Sequence, residues 1–239
     1  MSGHSKWSQI KRSKGALDQK RGLLYSKLGK KISIAVKEGG GSGDPSVNYK
    51  LKSTIDYAKD QGMPNDNIER AIKAAMGGGA GSITEAIYEG YGPFGTAFLV
   101  ETATDNTNRT YQNIRHIFSK HGGSIGAQNS VAWQFETKGQ ILVKRDNSLE
   151  RIELAAIDAG ANDVRESEEG LEVYTTPIDL KKIKDALTSV GAKIAKADII
   201  KESSQGVDLT EEQKPKVDSL FAELESDEDV IGVHTSANL

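Results

Sequence analysis

The chain contains no cysteine. That excludes a disulfide framework, a thiol nucleophile and any zinc site built on thiolates. No stretch approaches the roughly 20 apolar residues that a membrane-spanning helix requires. The basic N-terminus is not followed by an apolar core, so it does not read as a secretory signal. It shares its basic, acid-poor character with mitochondrial transit peptides, but it runs straight into a well-patterned helix. Net positive charge is absent after residue 31, where 33 acids outnumber 22 bases. The first 31 residues hold nine basic side chains (Lys6, Lys11, Arg12, Lys14, Lys20, Arg21, Lys27, Lys30 and Lys31) against one acid, Asp18. Their net charge is +8 in a chain whose total is −3, so the other 208 residues carry −11. A cationic segment on an acidic body points to a polyanionic partner, nucleic acid first.

Length predicts two or three units. Leu24, Leu28, Ile32 and Ala35 recur at helical spacing up to Gly39. Val47, Leu51, Ile55 and Ala58 form a second stripe ended by Gly62, and Ile68, Ala71, Ile72 and Ala75 a third, with Pro64 expected in its first turn. The glycine runs 39–43 and 77–81 read as a loop and a linker. Residues 1–80 are therefore expected to be a small helical domain with a basic leader.

Strands then mix with helices. Ile87–Tyr91 and Thr96–Thr104 read as strands about a turn, Asn108–His121 as a helix and Val131–Phe135 as another strand. Residues 139–201 repeat the order β-α-β-β-α-β, a ferredoxin-like split unit. A helix from Thr210, with Thr210 and Gln213 at capping-box spacing, and a strand Val230–Thr235 close the chain. These last two elements are expected to complete the sheet begun near residue 87. The fold class expected is α+β in three parts: 1–80, a discontinuous α/β domain of 81–138 with 202–239, and an inserted ferredoxin-like domain of 139–201.

The run Gly3-His4-Ser5-Lys6-Trp7, continuing to Lys11-Arg12-Ser13-Lys14, offers cations for phosphates and an indole able to stack on a base. The bland alternative is a solvated arm with Trp7 docked on the first helix. If about five phosphates of a duplex are neutralised, affinity falls with salt at a log–log slope of roughly −4 to −5. Gly90-Tyr91-Gly92-Pro93-Phe94-Gly95 spells G-x-G-x-x-G, but a strand follows it where a dinucleotide fold needs a helix, so a hairpin turn is expected. Asp105-Asn106-Thr107-Asn108-Arg109-Thr110 lies between a strand and a helix and is expected to cap that helix. Asn106, Asn108 and Arg109 could also touch phosphate as a secondary contact. His4, His116, His121 and His234 lack metal-ligand spacing, and no P-loop or Ser/His/Asp order stands out. Glu166, Glu168 and Glu169, and likewise Asp227, Glu228 and Asp229, read as solvated loops. No enzyme, cofactor or metal is expected.

Several runs together resemble one family, the YebC/PmpR-type regulators, which is related to a mitochondrial translational activator of cytochrome oxidase. They are Gly3-His4-Ser5-Lys6-Trp7, Lys20-Arg21-Gly22, Gly62-Met63-Pro64 and Asn67-Ile68-Glu69-Arg70-Ala71-Ile72. They continue with Tyr88-Glu89-Gly90-Tyr91-Gly92-Pro93, Thr104-Asp105-Asn106, Asn108-Arg109-Thr110, Phe118-Ser119-Lys120, Gly122-Gly123 and Gly126. Residues 139–201 match more by layout than by letters, and Phe94 stands where many members carry a small, glycine-like residue. The resemblance implies three domains, one inserted in another, and a cytoplasmic, non-enzymatic regulator of gene expression. Members are described as probable DNA-binding transcriptional regulators. A second view makes them ribosome-associated factors that assist translation of proline runs. On this reading His4, Ser5, Lys6, Trp7, Lys11, Arg12, Lys14, Lys20 and Arg21 contact nucleic acid, and Lys27, Lys30 and Lys31 extend the basic face along the first helix. A monomer is favoured. A small-molecule-sensing role for the ferredoxin-like domain is the rival from another class.

Overall fold

The computed structural model describes residues 17–77, 83–146 and 148–238, with side chains from Arg21 onward. The fold is α+β: an N-terminal helical region followed by two α/β domains. Three helices come first, α1 (Leu17–Glu38), α2 (Tyr49–Asp60) and α3 (Asn65–Met76). Leu28, Ile32 and Ala35 of α1 meet Leu51, Ile55 and Ala58 of α2 and Ile68 of α3 in one core. The side chain of Asn48 caps α2 by accepting from the Leu51 amide. Pro64 lies just before α3 rather than in its first turn. Its extended backbone leaves its carbonyl to accept from Asn67 and Ile68.

The next elements are β1 (Thr84–Tyr91), β2 (Ala97–Thr104), α4 (Thr107–Lys120) and the short β3 (Ser124–Ile125). β4 (Phe135–Lys144), α5 (Leu149–Ala159), β5 (Asp163–Ser167), β6 (Gly170–Thr175), α6 (Leu180–Ser189) and β7 (Ile194–Ser203) follow. The chain ends with β8 (Val207–Asp208), α7 (Lys214–Ser226), β9 (Val230–Thr235) and β10 (Ala237–Asn238). One sheet has the order β3-β1-β2-β9, another β5-β6-β4-β7, and β8 pairs with β10. The final long strand thus lies beside β2, more than a hundred residues earlier.

The described chain forms two compact units. One comprises residues 133–214 and 234–238, the other residues 17–132 and 215–233. In the first, all pairing within the four-stranded sheet is antiparallel, and Ile141, Val143, Leu171 and Val173 turn one face of it onto Ile152, Ala156, Ile183 and Leu187 of its two helices. Alternation of period two on β4 and β6 against helical spacing on α5 and α6 is what produces this arrangement. In the second unit, Phe98 and Phe118 meet edge to face at 5.9 Å. Gly90 lets α4 lie close, since a Cβ there would stand 2.9 Å from the Phe118 ring and 2.7 Å from the Ser124 carbonyl.

Two expected elements are corrected. Val131–Phe135 is not a strand, because the Val131 and Ala132 amides donate to the Glu89 carboxylate and residues 132–134 make a 3-10 turn. β4 instead starts at Phe135 and pairs with β7 from Ser203 to Ile194, with a register shift between Leu142 and Val143, so the ferredoxin-like sheet extends past both ends of 139–201. The closing helix starts at Lys214, not Thr210. The Thr210 amide donates to Gln213 Oε1, half of the expected capping box, while Pro215, which has no amide to donate, fits the first turn.

Candidate nucleic-acid interface

Of the expected contact residues, His4, Ser5, Lys6, Trp7, Lys11, Arg12 and Lys14 lie outside the described residues, as does the side chain of Lys20. Arg21 is exposed near the start of α1. Farther along that helix the cations turn inward. The Lys27 ammonium donates to the Glu225 carbonyl at 2.6 Å. Lys30 donates to the Glu228 carbonyl at 2.9 Å and to Asp229 Oδ1 at 2.7 Å. Lys31 lies over the Tyr57 ring, 5.6 Å from its centre. The expected basic face along α1 is therefore largely spent inside the molecule. The reason is the run Glu225–Asp229 at the α7–β9 corner, whose carbonyls and carboxylate lie against this helix. Burial lowers the Lys27 ammonium to about 8, against the pull of Glu225 and Asp227, with Lys30 and Lys31 adding to the depression.

Asp229 overturns the expectation of a solvated acidic loop. Its side chain is 8% exposed. Oδ2 accepts from Arg109 Nη2 at 2.9 Å and from the Thr110 hydroxyl at 2.8 Å, with the Thr104 hydroxyl at 3.3 Å. The Asp229 carbonyl accepts from the Ala103 amide at 2.8 Å. Burial alone would raise this carboxyl, but hydrogen bonds from Lys30, Arg109 and Thr110 outweigh it and hold it at about 2. One carboxylate thus joins α1, the β2–α4 junction and the α7–β9 corner.

The 105–110 run does cap a helix. Asn106 Oδ1 accepts from the Arg109 amide at 3.0 Å. Arg109 also pairs with Asp105 at 3.0 Å yet stays half exposed. Asn108 is exposed on α4. Asn106, Asn108 and Arg109 are therefore brought together at the helix start, with Arg109 shared between capping backbone and Asp229. In the sequence Asp229 read as part of a solvated acidic run and Thr110 as part of the capping run, and neither pointed to the other. The only signal was an acid immediately preceding a strand, and its partners lie far away in the chain. Glu89 was missed as well. It is buried and accepts from the Asn129, Val131 and Ala132 amides at 2.6 to 2.8 Å, which pins the loop leading into β4. Burial would raise its carboxyl, but these three donors together bring it below the usual range.

Gly90–Gly95 is the end of β1 and a 3-10 turn, followed by β2 from Ala97, not a phosphate cradle before a helix. Phe94 adopts the left-handed region, φ 62° and ψ 23°, which glycine enters without strain. That accounts for the small residue expected there from the resemblance. Among the described residues no group of three or more His, Asp or Glu is placed to hold a metal ion. His116 is exposed, His121 meets Glu223 at 2.7 Å, and His234 Nδ1 accepts from the Lys201 amide. No described helix is long and apolar enough to cross a membrane. The ferredoxin-like unit has a cleft of about 240 Å³, lined by Glu136, Lys138, Asn162, Asp163, Tyr174 and Thr175 among others. Lys138 there already pairs with Glu136 and Glu202.

Two family models match in tandem. The TACO1/YebC protein N-terminal domain covers residues 5–78, and the TACO1/YebC second and third domain covers residues 83–237. A protein of Deinococcus radiodurans named probable transcriptional regulatory protein is 49% identical, over all of this chain and 98% of its own. A relative of the same name in Thermoanaerobacter pseudethanolicus is 46% identical, again over 100% and 98%. The crystal structure of a conserved hypothetical protein from Aquifex aeolicus superposes with a TM-score of 0.80 at 40% identity, covering 92% of this chain and 91% of that one. With both models matched in order and nearly half of all residues shared along the full length, this chain belongs to the TACO1/YebC family.

Proposed function

We propose that the chain is a nucleic-acid-binding regulator of gene expression with no chemistry of its own, and in the first instance a DNA-binding transcriptional regulator of the cytoplasm. The observation that carries this reading is the segregation of charge, +8 in the first 31 residues against −11 in the rest. Such a dipole orients the molecule on a polyanion and repels its body from the same polymer. The relatives' shared name as probable transcriptional regulatory proteins supports it. Because Lys27 and Lys30 are engaged internally, the grip falls on His4, Ser5, Lys6, Trp7, Lys11, Arg12, Lys14, Lys20 and Arg21. Replacing Lys11, Arg12 and Lys14 together by Glu is expected to abolish binding to duplex DNA or RNA while the circular-dichroism spectrum is unchanged. Retained binding would refute the assignment.

A second reading, ribosomal RNA as the target, is favoured by one observation. Base readout in a major groove calls for Arg, Asn or Gln on an exposed helix face. Past Arg21, α1 offers only lysines as cations, three of them held by carbonyls, a carboxylate or a ring. An arm bearing lysines and Trp7 suits folded RNA, recognised by shape and stacking. Crosslinking in cells separates the two: reads from promoters support the first reading, reads from ribosomal RNA the second.

A further inference from the structure

The donors around Asp229 make a complete site for a singly charged, two-oxygen anion. Lys30 Nζ reaches one oxygen at 2.7 Å, and Arg109 Nη2 and the Thr110 hydroxyl reach the other at 2.9 and 2.8 Å. A phosphodiester carries the same single charge and likewise presents two unesterified oxygens. We propose that Lys30, Arg109, Thr104 and Thr110 form a second phosphate seat for nucleic acid, and that Asp229 fills it from within and so withholds two cations from the polymer. This rests on the nucleic-acid reading above.

Geometry and charge support it together. Asp229, Thr104 and Thr110 are buried and the Lys30 side chain is 20% exposed, while the Arg109 side chain is 50% exposed, so a ligand would approach the seat along Arg109. With Asp105 also paired to Arg109, two cations face two carboxylates and the cluster is neutral. Truncating Asp229 to Ala leaves one unbalanced positive charge beside two hydroxyl donors and vacates the place of the carboxylate. A polymer held elsewhere on the same chain presents its further phosphates at raised effective concentration, which favours use of that added charge.

The test compares wild type with Asp229→Ala in binding to a labelled duplex across a salt series, with melting of both proteins in chloride and in inorganic phosphate. Asp229→Ala should bind more tightly, and its log–log salt slope should steepen by about 0.9, the contribution of one added phosphate. Adding Lys30→Gln and Arg109→Gln to that variant should cancel the gain. Phosphate should raise the melting temperature of Asp229→Ala more than that of wild type. If Asp229→Ala does not fold, Asp229→Ser takes its place. An unchanged slope in a variant that still binds, or phosphate stabilisation no greater than wild type's, overturns the seat. Wild type that fails to bind nucleic acid at all overturns the functional reading instead, and the phosphate melting comparison then judges the seat alone.

Discussion

In the ferredoxin-like unit, Arg165 reaches Asp163 two residues away and Glu202 across the same sheet, and Tyr174 stacks under it while donating to Glu172. In the other unit, Asp229 collects Lys30 from 199 residues away and Arg109 from 120. Both units bury a carboxylate, Glu172 at 1% and Asp229 at 6% exposure. The first settles its charge inside one sheet. The second uses it to join the first helix, the β2–α4 junction and the last corner of the chain. Charge in the ferredoxin-like unit is therefore a local matter of sheet packing, while in the larger unit it fixes how distant segments meet and which cations of α1 turn inward.

The sharpest break of this comparison is a pair of core truncations. Phe118→Ala in the larger unit should cost about 4 kcal/mol and Ile152→Ala in the ferredoxin-like unit about 3 kcal/mol, both by denaturant unfolding. Hydrogen exchange should loosen mainly the amides of the truncated unit. Equal loosening of both would show one cooperative block instead of two.

Acid is the next probe. The folded carboxyl of Asp229 sits at about 2, below its ordinary 3.8. Its contribution, about 2 kcal/mol, is fully present above pH 4 and is lost as pH falls towards 2. Asp229→Asn should remove that part of the acid sensitivity in urea melts between pH 5 and 2. An identical pH profile for both proteins would mean that Asp229 is not the joint described.

The smallest effect is expected at Phe94. Phe94→Gly should stabilise the larger unit by about 1 kcal/mol by relieving the left-handed backbone, less what is lost with the Lys216 ammonium that lies 5.8 Å from the ring centre. Destabilisation in thermal melts would show that the ring contact outweighs the strain.

The ferredoxin-like unit was the more legible from sequence. Its apolar residues alternate along β4 and β6 and recur at helical spacing along α5 and α6, and these short-range patterns specify both elements and faces. Gly160 and Gly191 stop its helices as expected, both with positive φ. The larger unit was harder because its sheet borrows β9 from the far end of the chain. Its strand boundary at 131–135 depended on Glu89, a side chain 42 residues away that takes the amides a strand would need. The site was legible only as charge. Counting cations found the basic leader, but no count distinguishes Arg21, which faces solvent, from Lys30, which faces Asp229. That distinction is made by tertiary contacts invisible to local pattern.

The central claim, that the cationic leader grips a phosphodiester chain, is tested most directly by the salt dependence of binding to an unlabelled-sequence duplex and to a ribosomal RNA fragment. On the duplex the account predicts a log–log slope of roughly −4 to −5, reduced by about 2.7 when Lys11, Arg12 and Lys14 are neutralised to Gln. A slope near zero, or one that the triple substitution leaves unchanged, would contradict it.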